Sequence, residues 1–311
     1  MNRSATHAGS WYTNSKTRLN SELEKNLIAA TVKDTSLPIK DVRAIIAPHA
    51  GYSYSGPTAA YAYKSINVSN IKRVFILGPS HHVYLDGCAL SKYEAYDTPL
   101  GSLTLDHEVI SELYLTKQFT LMSKSADEDE HSIEMHLPYI FKIFEKKIND
   151  IKIIPILVGS IHEEKEDKYG KIFGQYLSDP SNLFIVSSDF CHWGERFRYT
   201  YYQGKHLHRD DSIIIDDDIP IYKSIEQLDQ TGIKTIESLD VKAFRSYLNE
   251  TQNTICGRHP ICVLMAALHT LNDQQYEKSI QFIKYAQSSP CHTIKDSSVS
   301  YASAYITILN K

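Results

Sequence analysis

The chain reads as an α/β fold: a mixed, mainly parallel central sheet flanked by helices. Short, strongly apolar runs, Val42-Arg43-Ala44-Ile45-Ile46-Ala47, Val74-Phe75-Ile76-Leu77 and Leu183-Phe184-Ile185-Val186, have the character of buried strands of a parallel sheet. Stretches of helical pattern alternate with them, as in strand–helix–strand units. Histidine-bearing turns follow closely on the runs: Pro48-His49-Ala50-Gly51-Tyr52, Gly78-Pro79-Ser80-His81-His82 and Ser188-Asp189-Phe190-Cys191-His192-Trp193-Gly194. Ligands of open α/β sheets collect beyond the carboxyl ends of the strands. Histidines from three strand ends, and an aspartate, are therefore expected at one edge of one sheet.

Each element has a local reason. After the strand at 42–47, Gly56-Pro57 opens a helix, Pro57 suiting the first helical position. A strand follows at 73–77. Cys88-Ala89-Leu90 is a short β piece, and more lie between Tyr93 and Leu105, turning at Thr98-Pro99-Leu100-Gly101. Asp106 caps a helix to about Leu115, and Ser132 another to Lys146. Ile151–Leu157 is a strand and Glu163–Leu177 an amphipathic helix. Helices are expected near 221–231, stopped by Gly232, at 240–249 and at 260–271. Two β runs, Ile280–Tyr285 and Val299–Leu309, close the chain. The Asp- and His-rich stretch Gln203–Pro220 reads as a surface loop insertion in a single domain over 1–311, with His206 and His208 as loop histidines.

Bulk properties narrow the class. The chain has 311 residues, 42% apolar and 23% charged, with a net charge of -4 and both signs mixed along it. That balance fits a soluble globular protein and argues against a nucleic-acid or anionic-membrane surface. No apolar stretch follows Met1–His7, and the longest apolar run, near Ile261–Leu268, is too short to span a bilayer. Five scattered cysteines without a Cys-x-x-Cys pair point to reduced thiols and the cytosol.

A lone histidine after a strand is more often a hydrogen-bonding residue than a ligand. His49 and His81 come as a pair, each beside glycines after a buried strand, and imidazole suits several transition metals, so a shared metal is a real alternative. Asp189 and His192 can act as base and orienter, or can simply tie down their turn. Cys256 precedes Gly257-Arg258-His259-Pro260, where Pro260 starts a helix. A thiol near a helix N-terminus and a cation has a depressed pKa; alternatively Cys256 is an inert buried thiol. The acidic run Asp127–Glu130 suits the positive end of a helix. His131 and Glu134 share one helical face and can back a site from behind, though not in the metalloprotease order. There is no Gly-rich phosphate loop and no nucleophile elbow.

Taken together, the segments His7-Ala8-Gly9-Ser10-Trp11-Tyr12, Ala47–Tyr52, Leu77–His82, Asp127–Pro138, Ser187–Gly194, Asn253–Pro260, Tyr285–Ser289 and Asp296–Tyr301 resemble the Memo family, mediators of receptor-driven cell motility. The resemblance covers nearly the whole chain. It implies a fold similar to that of class III extradiol dioxygenases, which hold non-haem iron with two histidines and a carboxylate. On that likeness His49 and His81 match the two histidine ligands, and Cys256 stands in place of the carboxylate. His192 resembles the catalytic histidine, and Asp189 lines the same pocket. The family is associated with copper and iron, with redox signalling, and with a phosphotyrosine peptide of a receptor, for which Trp11, Tyr54 and Arg198 resemble cleft contacts. The expectation is a metal-binding signalling protein of the cytosol, or also of the nucleus. The alternatives are a peptide-binding module with a vestigial site and an active dioxygenase.

Overall fold

The three apolar runs lie side by side in the middle of the sheet. In a computed structural model, which describes residues 1–202 and 219–311, nine strands form it. They are Val42–Ala47 (β1), Arg73–Pro79 (β2), Cys88–Leu90 (β3), Phe119–Leu121 (β4), Lys152–Val158 (β5), Asn182–Ser187 (β6), His192–Trp193 (β7), Tyr276–Gln287 (β8) and Ser298–Asn310 (β9). Their order is β7-β9-β1-β6-β2-β5-β3-β4, with β8 also paired to β9, and the sheet does not close into a barrel. The central pairs β1–β6, β6–β2 and β2–β5 are parallel; β9 runs antiparallel to β1, and β3 to β5. Every residue of β1 and β6 is buried, which explains why these strands read as unbroken apolar runs and not as alternating ones. The β pieces between Tyr93 and Leu105 fall in a separate three-stranded sheet of Asn2–Arg3, Ala95–Thr98 and Gly101–Thr104.

Helices flank the sheet: Lys16–Ala29 (α1), Tyr52–Lys64 (α2), His107–Leu115 (α3), Glu163–Leu177 (α4), Ile221–Glu237 (α5), Val241–Thr251 (α6) and Arg258–Thr270 (α7). Asp106 caps α3 by accepting from the Val109 N–H, as its residue type suggests. Three boundaries differ from the sequence reading. Pro57 lies inside α2, which begins at Tyr52. Gly232 does not stop α5. A Cβ there would come within 2.7 Å of the Tyr247 ring, so the glycine serves the packing of α6 on α5. The helix expected from Ser132 to Lys146 is broken into His131–Glu134, Leu137–Ile143 and a 3-10 stretch at Glu145–Asp150, and its cap is Glu130, which accepts from the Ser132 N–H. Helix α1 was not expected at all; Leu19 and Leu23 are its only buried residues, too few to show a periodic stripe. The proposed insertion at Gln203–Pro220, with His206 and His208, lies outside the described residues except for its last two. Among the described residues no helix is long and apolar enough to cross a membrane.

Candidate functional site

His49, Asp189 and His81 each sit two residues beyond a strand, after β1, β6 and β2. Those strands are adjacent and parallel, so the three side chains arrive together at one edge. This is the placement general to open α/β sheets. Close approach of neighbouring backbone finishes the floor. A Cβ on Gly257 would lie 2.4 Å from the Ser187 carbonyl, and one on Gly78 would lie 2.5 Å from Ser132 Oγ. Only glycine therefore lets the Cys256 loop settle on the end of β6, and the His131 turn on the end of β2.

Hydrogen bonds fix the tautomers of two imidazoles. His49 Nδ1 is 2.6 Å from Ser187 Oγ, whose own proton goes to the Ser132 carbonyl at 2.7 Å. Ser187 can then only accept, so Nδ1 carries the hydrogen and Nε2 keeps its lone pair. His81 Nδ1 donates to Glu130 Oε1 at 2.9 Å, and the His81 N–H binds the other carboxylate oxygen at 2.7 Å. Burial alone would raise the Glu130 carboxyl, but the bonds and charge of His81 outweigh it and hold it low and ionised. An imidazole pinned through one nitrogen by a carboxylate or hydroxyl, with the other nitrogen free, is the arrangement of metal-ligating histidines.

A third imidazole joins them. The nitrogen ligand atoms of His49, His81 and His131 lie within 4.8 Å of one another. His131 stacks on His81 with ring centroids 4.4 Å apart, and Trp11 covers its neighbourhood at 4.3 Å. Burial and the nearby His81 keep His131 neutral, well below its ordinary range. Burial and the surrounding imidazoles do the same for His49. Three imidazoles with convergent nitrogens can hold a metal ion of the zinc, copper, iron or nickel kind. Cys256 lies just behind. Its Sγ is 3.2 Å from His49 Nε2 and receives the Asp189 N–H at 3.2 Å, but it is not part of the convergent set. Of the two readings the sequence left open, activation at the start of α7 and a buried inert thiol, the surroundings favour the second. Burial, with the Asp189 carboxyl adding to it, pushes its pKa up, and only a bound cation would supply the missing charge.

Asp189 accepts the His49 N–H at 2.9 Å. Burial raises its pKa to about 7 against the pull of that bond, so it exchanges a proton near neutrality. His192 Nδ1 faces the carbonyls of Phe190 and Thr254 at 2.9 and 3.2 Å, which makes it the donor and leaves Nε2 to accept. Burial lowers the His192 pKa, so the ring stays neutral. These side chains line an open cleft of about 750 Å³ whose walls include Trp11, Tyr54, Arg196, Phe197 and the serines of the β8–β9 turn. Arg198 does not line it. That residue follows the 3-10 turn Glu195–Phe197 in a left-handed conformation, and the arginine facing the cleft is Arg196, whose guanidinium lies 4.4 Å from the centre of the Phe197 ring.

The cleft's far wall hangs on a buried charge cluster in which Arg3 pairs with Glu134 at 2.7 Å and Asp127 at 3.1 Å. Glu134 accepts from Arg3 Nη1 at 2.7 Å, His7 Nδ1 at 2.8 Å and the Tyr12 hydroxyl at 2.8 Å, while Arg3 also binds the carbonyls of Asp127 and Glu130. Burial opposes ionisation of Glu134, but His7 and Arg3 prevail and bring its pKa down to about 2. Sequence reasoning placed His131 and Glu134 behind the site. It missed that His131 reaches the floor itself, because the acidic run before it explained the segment as an ordinary helix start.

Comparison with known proteins gives the family of the chain. The family described as Memo-like protein matches residues 3–305. The chain is similar to Protein MEMO1 of Homo sapiens, 52% identical over 309 residues covering 98% of this chain and 97% of that one. It is similar to Protein MEMO1 of Danio rerio, 50% identical over 309 residues with the same coverage. To the Protein memo-1 homolog of Caenorhabditis elegans it is 46% identical over 307 residues, 98% of this chain and 83% of that one.

Proposed function

This chain belongs to the Memo family, and on that footing we propose that it is a metal-binding redox protein whose ion, copper or iron, is held by His49 and His81. The observation that carries this reading is the pair of imidazoles pinned through Nδ1 by Ser187 and Glu130, with a third, His131, converging on them. His131 and Cys256 compete for the third position. Thiolate beside imidazole favours copper(I), whereas three imidazoles also suit iron and copper(II). When bound, such an ion supplies one-electron exchange. The chain's own residues hold the protons: Asp189 exchanges one near neutrality, and His192 presents a bare Nε2 to the cleft as a base, not a ligand.

A second reading concerns the cleft. Arg196 makes no ion pair among the described residues; it lies over the Phe197 ring and lines the same cleft as Trp11 and Tyr54. That combination suits a phosphotyrosine peptide and carries the family's link to receptor tyrosine kinase signalling and motility. Both readings fit one cytosolic protein.

Metal analysis of untagged protein, followed by competition with a copper(I) chelator, tests the first reading. One equivalent of copper or iron is expected, and protein that takes up neither would sink it. Cys256→Ser and His131→Ala then decide the third ligand. With sulfur as ligand, Cys256→Ser loses copper(I) far more than iron(II), and Cys256→Asp retains some iron(II). With nitrogen as ligand, His131→Ala weakens both ions and Cys256→Ser changes neither.

A further inference from the structure

Two groups of aromatic rings, joined through the Trp11–Tyr12 backbone, lead from the histidine cluster into the core. Trp11 lies 4.3 Å from His131, and His131 stacks on His81. Tyr12, the next residue, packs on Tyr52 at 5.3 Å, Tyr52 on Tyr139 at 5.5 Å, and Tyr139 stacks on Tyr63 at 4.8 Å. Trp11 is 36% exposed, while the four tyrosines are buried.

The four hydroxyls meet different partners. Tyr12 donates to the Glu134 carboxylate at 2.8 Å, and Tyr63 meets His136 Nδ1 at 2.6 Å. Tyr52 and Tyr139 donate to the carbonyls of Met135 and Gly56. A phenol gives up an electron near neutral pH only as it sheds its proton. A carboxylate or a neutral imidazole can take that proton; an amide carbonyl cannot. His136 is buried and neutral, and with its hydrogen on Nε2 its Nδ1 accepts the Tyr63 hydroxyl. The stack thus has a proton acceptor at each end and none in the middle.

We propose that Trp11 and this tyrosine stack carry single-electron oxidation away from the histidine cluster, with Tyr12 and Tyr63 as the positions where the radical rests. The source of oxidant rests on the redox-metal reading. An oxygen-centred radical derived from peroxide takes one electron from the Trp11 indole and one proton from water. Tyr12 refills the indole, and its phenolic proton moves to Glu134, leaving a neutral tyrosyl radical. Transfer of the electron vacancy to Tyr63 returns the first proton to Tyr12 and places the Tyr63 proton on His136. An enediol reductant of the ascorbate class, meeting the exposed edge of Trp11, supplies the final electron and is itself oxidised by one. The held proton then goes back to the phenoxyl oxygen.

Flash oxidation of the metal-free, full-length protein reads the path directly, with a ruthenium tris-bipyridine sensitiser and a cobalt(III) ammine as electron acceptor. Trp11 and Trp193 are the two tryptophans, and Trp193 is fully buried, so the indolyl radical reports Trp11. Its absorption is expected to give way to that of a tyrosyl radical. The Tyr12→Phe/Tyr63→Phe double variant keeps the rings and removes both proton donors; its indolyl radical should live several-fold longer and its tyrosyl electron-paramagnetic signal should fall. Unchanged decay and unchanged signal in that variant overturn the proposal. In a second arm, copper-loaded protein is exposed to hydrogen peroxide, and Trp11→Phe should increase oxidation of His49, His81 and His131 as seen by peptide mass spectrometry. Failure to load copper counts against the metal reading and leaves the flash experiment to decide the path. Normal loading with no added histidine damage in Trp11→Phe counts against the path alone.

Discussion

Two histidine–glutamate pairs in this molecule look alike and are not alike. His81 Nδ1 meets Glu130 at 2.9 Å, and His259 Nδ1 meets Glu166 at 2.7 Å; both carboxylates are buried. Glu130 has a second imidazole nearby, neutral His131 at 3.6 Å, and its remaining bonds are accepted from the N–H groups of His81 and Ser132. Glu166 is shared with Arg245, which also pairs with Asp167. The deeper difference lies at the far nitrogen. His81 shares its cleft with His49 and His131, whereas His259 Nε2 is buried with no hydrogen-bond partner and belongs to no convergent ligand set among the described residues. A carboxylate-backed histidine is thus a common structural tie. Convergence of a second and third ring turns one such tie into a candidate metal centre.

The comparison can be broken most directly at the ligands. Loss of an outer-shell partner typically costs about 10–100-fold in metal affinity, so His49→Ala and His81→Ala should each exceed that range in a chelator competition. His259→Ala should leave affinity untouched; equal losses at His81 and His259 would erase the distinction. Next comes the backing carboxylate. Glu130→Gln should weaken metal binding by about 10–100-fold while the fold persists, and Glu166→Gln should instead destabilise the protein by about 2 kcal/mol, through lost charged hydrogen bonds, with metal uptake intact. Denaturant melts and metal titrations of both variants check the pairing.

The smallest effect is on pH dependence. Glu134, at about 2 against an ordinary 4.5, contributes stability that is full above pH 4.5 and lost as pH falls through about 2. Buried Asp229 behaves in the opposite sense. Burial raises it from 3.8 to about 6 despite bonds from Ser300, Asn253 and Tyr285, so the folded state binds the extra proton and stability declines as pH rises between those values. Asp229→Asn should flatten the slope between roughly pH 4 and 6, and Glu134→Gln should flatten only the acid limb. Urea midpoints measured across that range would reveal a swap of the two behaviours.

Much of the floor was legible in the sequence. Continuous apolar runs marked β1, β2 and β6, and His49, His81 and Asp189 could be placed at their ends because strand polarity leaves a side chain two residues on no other place to go. What stayed hidden depended on tertiary contact. His131 was masked by the acidic run ahead of it, and its route to the floor depends on Gly78 letting the turn press against β2. Arg196 and Arg198 are two residues apart, and only the left-handed turn at Arg198 decides which one faces the cleft. Pro57 and Gly232 misled for one reason: each has a local meaning as helix punctuation, and packing overrode it in both. For Cys256 the sequence left an activated thiol and a buried inert one both open, because a helix N-terminus is visible in sequence while the burial that favours the second is not.

Arg3 has a consequence that reaches beyond its bonds. Its guanidinium, 1% exposed, fastens the Asn2–Arg3 strand to the segment from Asp127 to Glu134, and Tyr12 reaches the same Glu134, so opening of residues 3–12 and of the His131 turn is expected to be coupled. The site and the N-terminal segment then form one cooperative unit for local unfolding. A ligand of the folded site at about 100 times its dissociation constant adds about 2.7 kcal/mol to the cost of that opening. Amide protons of residues 3–12, none of which is a proposed metal ligand, should therefore exchange more slowly whenever the cluster holds a metal. The beginning of the chain becomes a gauge of what the cluster holds.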